Sequence, residues 1–282
     1  MNTVFVSTTA FNSNLDRAIA ASKKYGVALE FGSAIPHSSS LEATYRKLDI
    51  PRLPHNYFPA PSEGFVLNLA SPDPLLRERS LAHCAKGIEL ARASNAPFYA
   101  AHAGFCIDPN PEDLGQDWDL GIEYDSAEAY HAFCSSVRVL SDQASQQDVK
   151  FLVENNVVTP NNVDEQGNTP LLLTRPQGIK TFFQDIDQPS TGLLLDTGHL
   201  KVTAQTFGFD IHEAVQQLHP YIRGIHHSDN NGKADTNSPI EADYWFLEHM
   251  TTFKEVPHVL EVKNQSVPEI LRQIDILTQK VE

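Results

Sequence analysis

GLLLDTGHL, residues 192–200, carries three consecutive leucines that break off into Asp196, Thr197, Gly198 and His199. An apolar run this short is too brief for a helix and fits a strand buried on both faces, the kind that parallel sheets use. Asp, Thr and Gly are ordinary turn residues, so the end of the run can be a solvated turn. It can equally be a carboxylate and an imidazole delivered to one spot at the carboxyl end of a buried strand. The same grammar recurs along the chain, and the recurrence favours the second reading.

Outward from that stretch, strand-like and helix-like segments alternate. Residues 3–7, 27–31, 52–58, 98–102, 150–153, the leucine run, 222–226 and 258–262 are the expected strands. Pro54 weakens the third, because proline removes a ladder donor. Helical spacing covers 15–25, 74–94, 126–147, 178–185, 210–218, 244–253 and 267–279. Gly26 is placed to end the first helix, Pro74 to open the second and Asp210 to cap another. Eight strands alternating with helices imply a parallel sheet, and eight units are the number that closes a (β/α)8 TIM barrel of the α/β class. No linker or low-complexity tract interrupts residues 1–282, so a single domain is expected. The competing fold, an open doubly wound sheet, lacks a GxGxxG turn after the first strand.

Composition narrows the function classes. A hydrophobic fraction of 41% with 20% charged residues is that of an ordinary globular chain. No apolar run approaches the roughly 20 residues that span a bilayer. The start, MNTVFVSTTAF, reads as a strand rather than a secretory signal. Three cysteines, Cys84, Cys106 and Cys134, show no CxxC pairing, which fits a reduced, cytoplasmic protein. The net charge of −15 repels a phosphate backbone, so nucleic acid is disfavoured as a partner. A homo-oligomer stays open.

In a barrel of this kind the site lies where the strands end. Those ends read His55, His102, Glu154, Asp196 with His199, His226 and Glu261. Each alone is an ordinary residue; six strands of eight ending in metal-capable groups point to a bound divalent cation. Glu154, Asp196, His226 and Glu261 make a mostly oxygen set that suits Mn2+ or Mg2+, and further histidines shift preference towards Zn2+. Three buried carboxylates without a cation would repel one another and lose hydration, unless they pair with Lys201, Arg223 or Lys263. Strand alternation lets only one of His226 and His227 face the axis; His226 is taken as inward and His227 as packed against helices. Lys263 shares the inward direction of Glu261, and is either a substrate contact or a solvated charge. Lys201 and Lys233 read as surface charges before phosphate contacts, and Glu30 as a solvated or structural carboxylate before a group that reaches the site. The loops 105–121 and 161–169 are candidate lids, with Trp118 a candidate stacking residue.

These motifs resemble the xylose-isomerase-like barrels, which group sugar isomerases and epimerases with zinc-dependent apurinic-site endonucleases. LVEN with Glu154, DTGH with Asp196 and His199, IHHSDN with His226 and Asp229, and LEV with Glu261 are similar to the family's strand-five, strand-six, strand-seven and last-strand motifs. The resemblance implies that Glu154, Asp196, His226 and Glu261 hold one catalytic metal, with His199 beside it. It also implies that His55, His102 and Asp235 are similar to additional ligands of the endonuclease branch. That branch carries a DxH pair where this chain reads Asp235, Thr236, Asn237, which counts against a third zinc.

The expected activity is therefore a divalent-metal-dependent isomerase or epimerase of a small sugar or keto-sugar. Glu154 and Glu261 would move a proton through an enediolate and His199 would polarise the substrate oxygen. A metal-dependent lyase (dehydratase) of a keto-sugar derivative begins with the same proton abstraction and is an alternative. A zinc-dependent endonuclease-like phosphodiesterase is a further one, and a barrel that binds a ligand without chemistry is a third.

Overall fold

The computed structural model describes residues 3–113 and 123–279. Eight strands are all parallel: β1 Val4–Ser7, β2 Ala28–Phe31, β3 Arg52–Pro54, β4 Phe98–His102, β5 Lys150–Glu154, β6 Thr191–Asp196, β7 Ile222–His227 and β8 His258–Leu260. Their order in the sheet is β3-β2-β1-β8-β7-β6-β5-β4. The two outer strands meet through a parallel bridge between His55 and Ala100 and the Asn56 N–H donating to the Ala100 carbonyl at 2.7 Å. That contact rounds the sheet into the expected TIM barrel.

Around the sheet lie α1 Leu15–Tyr25, α2 Leu41–Lys47, α3 Pro74–Ala93, α4 Ser126–Gln146, α5 Pro176–Ile186, α6 Thr197–Phe207, α7 Ile211–Leu218 and α8 Val267–Gln279. Local chemistry sets several of their ends. Asn14, Asp73, Asp125 and Asp210 each accept backbone N–H groups at a helix start. Gly26, at φ 72°, ends α1 in the left-handed conformation that glycine adopts without strain. No helix of the described residues is long and apolar enough to cross a membrane.

Four expectations need correction. The third strand stops at Pro54 rather than residue 58, because the chain turns at Asn56, whose φ is 47°. The last strand stops at Leu260, two residues early. Residues 244–253 form a short 3-10 helix, Trp245–His249, followed by turns, instead of one continuous helix. Two helices, α2 and α6, were not foreseen. In α6 the cap is the strand's own last residue: the Asp196 Oδ1 atom accepts the His199 N–H at 2.7 Å, so strand gives way to helix with no loop between them.

The strands' alternation sorts side chains into layers. Phe5, Ala28, Leu53, Phe98, Ala100, Leu152, Leu194 and Val259 fill the barrel as a cluster separate from the larger one between sheet and helices. Gly224 leaves room there, since a Cβ at that position would lie 3.0–3.2 Å from Leu152, Leu194 and Phe98. Two residues further along each strand come Ser7, Glu30, His55, His102, Glu154, Asp196, His226 and Glu261. The barrel is therefore oily at mid-height and polar at its carboxyl-terminal mouth.

Candidate active site

The mouth is built around Glu154, whose carboxylate is fully buried at the end of β5. Its Oε1 lies 3.6 Å from His226 Nδ1 and 3.6 Å from His199 Nδ1. Its Oε2 lies 3.2 Å from His55 Nε2 and 3.6 Å from His102 Nδ1. One carboxylate thus faces two groups of donors. The first joins Glu154 to Asp196, His226 and Glu261, and the second joins it to His55 and His102; in each, the candidate ligand atoms lie within 4.8 Å of one another. His226 Nδ1 sits 2.9 Å from Glu261 Oε2 and 3.8 Å from Asp196 Oδ2. Its other nitrogen, Nε2, meets Glu30 Oε2 at 2.9 Å.

The electrostatics are those of a crowded set of acids and bases. Burial alone would raise Glu154, but His102, His226 and His55 outweigh it and hold the carboxyl well below the usual range. Burial would lower His226, yet Glu30, Glu261 and Glu154 push it well above an ordinary imidazole. His199 is likewise held up against burial, by Asp196, Asp235 and Glu154. Asp196 is pushed up to about 7, by burial first, with Glu154, Asp235 and Glu261 adding repulsion. These ionisations compensate charge only in part. Both oxygens of Glu154, Oδ2 of Asp196 and Oε1 of Glu30 are buried without a hydrogen bond. Buried carboxylate oxygens rarely go unpartnered, and a cation ligated by them and by His226 would meet that need. The donor set therefore fits a divalent metal.

The ion pairs that reach Glu154, Asp196 and Glu261 among the described residues come from histidines; Lys201 instead pairs with Asp229 at 2.6 Å. Lys263 is exposed, and its charge helps hold Asp235 down. His199 Nδ1 hydrogen-bonds to the Asn155 carbonyl at 2.8 Å and its Nε2 faces Asp235 Oδ2 at 3.5 Å, so Asp235 belongs to this neighbourhood. Glu261 and His102, with side chains 17% and 33% exposed, face the opening, while Glu154, Asp196 and His226 are sealed beneath them. His227 points the other way, stacked on His258 and packed near Phe246.

A model of the xylose isomerase-like TIM barrel family matches residues 17–274. The chain belongs to that family. Among solved structures, this xylose isomerase-like barrel is similar to a D-tagatose 3-epimerase-like protein, with 20% identity over 100% of both chains and a TM-score of 0.69. It is also similar to the TTHB071 protein from Thermus thermophilus, soaked with ZnCl2, with 16% identity over 98% of each chain and a TM-score of 0.66. A D-psicose 3-epimerase from Clostridium cellulolyticum shares 15% identity over 100% of this chain and 96% of its own, with a TM-score of 0.63. At these identities the likeness is one of fold. No curated protein matches by sequence.

Two parts of the family barrel's mouth escaped sequence reasoning. Glu30, read first as solvated or structural, is fully buried and faces His226. Local sequence leaves its facing undecided; the pairing of β2 with β1 and β3 puts it two residues past Ala28 on the inward phase. Asn155 braces the β6 end, with its side chain accepting the Asp196 N–H at 2.8 Å and donating to the Asp196 carbonyl at 3.2 Å; nothing in its local sequence marks that role. Trp118 and residues 114–121 of the first candidate lid lie outside the described residues. The second, 161–169, is a turn-rich segment organised by Asp164, which accepts from Gln166 and Asn168.

Proposed function

We propose that this protein is a divalent-metal-dependent isomerase or epimerase of a small sugar or keto-sugar. The observation that carries the reading is the convergence of Glu154, Asp196, His226 and Glu261, from four successive strands, on a point that all four can reach. Three carboxylates and one imidazole favour Mn2+ or Mg2+, with Zn2+ admitted by the imidazole. His55 and His102, on the other side of Glu154, are candidates for a second metal or for substrate hydroxyls.

When bound, the cation supplies positive charge beside the substrate oxygens, where negative charge develops as a neighbouring C–H bond is broken. The protein's own groups do the rest. Glu154 and Glu261 stand on β5 and just past β8, with two strands between them, and act as the acid/base pair that removes a proton from carbon and returns one. His199, fixed by the Asn155 carbonyl and close to Asp235, donates to the substrate oxygen that gains charge. The oily layer under the site keeps water from entering from below. The structural neighbours include a D-psicose 3-epimerase and an L-ribulose 3-epimerase, which motivates a ketose substrate class. The net charge of −15 and Asn237 in place of a third-site histidine count against a nuclease. Buried, unbridged Cys84, Cys106 and Cys134 fit a cytoplasmic setting.

The test is proton exchange. Protein stripped of metal and reloaded with Mn2+, Mg2+ or Zn2+ is incubated with a panel of ketoses in deuterated water. Deuterium should enter at the carbon beside the carbonyl only in the reloaded protein, and Glu261→Gln should abolish it. Exchange that proceeds equally in stripped protein would sink the proposal.

A further inference from the structure

Away from the barrel mouth, one other group of side chains brings three metal-type donors to a point. His212 stands on the first turn of α7, its backbone N–H held by Asp210 Oδ1 at 2.8 Å. Glu248 and His249 end the 3-10 turn that leads towards β8. His212 Nδ1 lies 2.7 Å from Glu248 Oε1 and 3.0 Å from His249 Nε2, and His249 Nε2 lies 3.5 Å from the same Glu248 oxygen.

A proton does not satisfy this triangle. An N–H on either ring serves one edge and leaves lone-pair atoms confronting each other along another. A cation inside it serves all three. Tetrahedral ligands at bonds of about 2.0–2.1 Å are set roughly 3.3 Å apart, and the three observed edges straddle that spacing. The site is also accessible: the side chains of His212 and Glu248 are 38% and 61% exposed, so water can complete the coordination. The His249 side chain is only 12% exposed, its ring held beside Phe246 and Trp245.

We propose that His212, Glu248 and His249 form a surface site for a divalent cation of the zinc, copper or nickel class, which clips the start of α7 to the turn before β8. Two imidazoles and one carboxylate suit those ions over Mg2+ or Ca2+, whose ligands are oxygens. The donors sit 37 residues apart in sequence, so the bound ion cross-links two segments of the helical layer. The site is independent of the chemistry at the mouth and of any reading of it.

Equilibrium dialysis of the full-length protein against Zn2+ alone, followed by metal analysis, tests this. Wild type should hold one equivalent more than His212→Ala. Glu248→Gln, at a side chain exposed enough to leave packing intact, should weaken that equivalent about tenfold or more, since loss of even a supporting partner costs that much. Trp245 lies with its ring 5.8 Å from that of His212, so Cu2+ should quench its fluorescence saturably in wild type and not in His212→Ala. Equal zinc content in wild type and His212→Ala overturns the proposal. If His212→Ala does not fold, Glu248→Gln decides: an unchanged zinc affinity overturns it.

Discussion

At His226 the two ring nitrogens have different work. Nδ1 faces Glu154, Asp196 and Glu261, while Nε2 is held by the buried Glu30 carboxylate at 2.9 Å. A carboxylate behind a ligating imidazole fixes its tautomer and orientation and raises its basicity. Glu30→Ala should therefore lower Mn2+ affinity about 10- to 100-fold, read by calorimetry, and Glu30→Gln should recover part of the loss by keeping an acceptor. Equal affinities in all three proteins would remove Glu30 from the site. Behind the barrel wall, His258 donates from Nε2 to the Phe253 carbonyl and its Nδ1 meets His227 Nε2 at 2.8 Å. Burial pushes His258 down to about 4, so the fold binds its neutral form. A group whose folded pKa is depressed stabilises fully above its unfolded value, near 6.5, and loses that contribution as pH falls towards 4. Roughly 3 kcal/mol should fade over that window. Denaturant titrations at several pH values should show a shallower slope in His258→Gln than in wild type. Most of the mouth's convergence was legible because each candidate ligand ends an apolar run. Glu30 was not, since VALEF reads equally well with its glutamate facing solvent, and only pairing with β1 and β3 settles the phase.

The seat of a helix on the sheet depends on particular contacts as well as on propensity, as α3 shows. In α3, Gly87 lies against the Tyr99 ring of β4 so closely that an added Cβ would sit 2.2–2.7 Å from three ring atoms. Tyr99 is fully buried and its hydroxyl is committed to the Asn56 carbonyl, so the ring has little room to yield. Gly87→Ala should cost at least about 1–3 kcal/mol by overpacking, outweighing alanine's better helix propensity. Asp125 accepts two backbone N–H groups at the start of α4, both at 2.9 Å; Asp125→Ala should cost about 1 kcal/mol in chemical denaturation. Asp196 joins two such roles. Asp196→Asn keeps an oxygen to cap α6 but loses the charge a cation needs, so helical content should persist while metal binding falls. Capping aspartates and the Gly26 stop were readable because those signals are local. The start of α6 was hidden because DTGH spells a turn, and the helix begins there only because a strand-end carboxylate doubles as its cap. At 244–253 the apolar spacing reads as a longer helix, yet Tyr244, Phe246, Met250 and Phe253 are buried around a 3-10 helix of only five residues.

Across the whole molecule, the eightfold alternation of strand and helix places a polar layer on an oily one, and the proposed metal binding there would be linked to both stability and pH. Without a cation, His226 carries a proton well above its ordinary range because Glu30, Glu261 and Glu154 prevail over burial. A ligating Nδ1 must shed its proton, so binding releases at least one proton and affinity should rise about tenfold per pH unit for each one released. Asp196, pushed up to about 7, must also ionise, so the dependence should steepen below that pH. The sign is fixed: acid competes with the metal for the same atoms. Cation binding to the folded chain alone also raises its melting temperature by mass action. Thermal scans over a series of Mn2+ concentrations at about pH 6, 7 and 8, which bracket the Asp196 ionisation, measure both effects together. The metal-induced rise in melting temperature should be smallest at the lowest pH and grow at each step. A rise independent of pH would mean that the ion binds without displacing protons from the mouth, and that its ligands are other than His226 and Asp196.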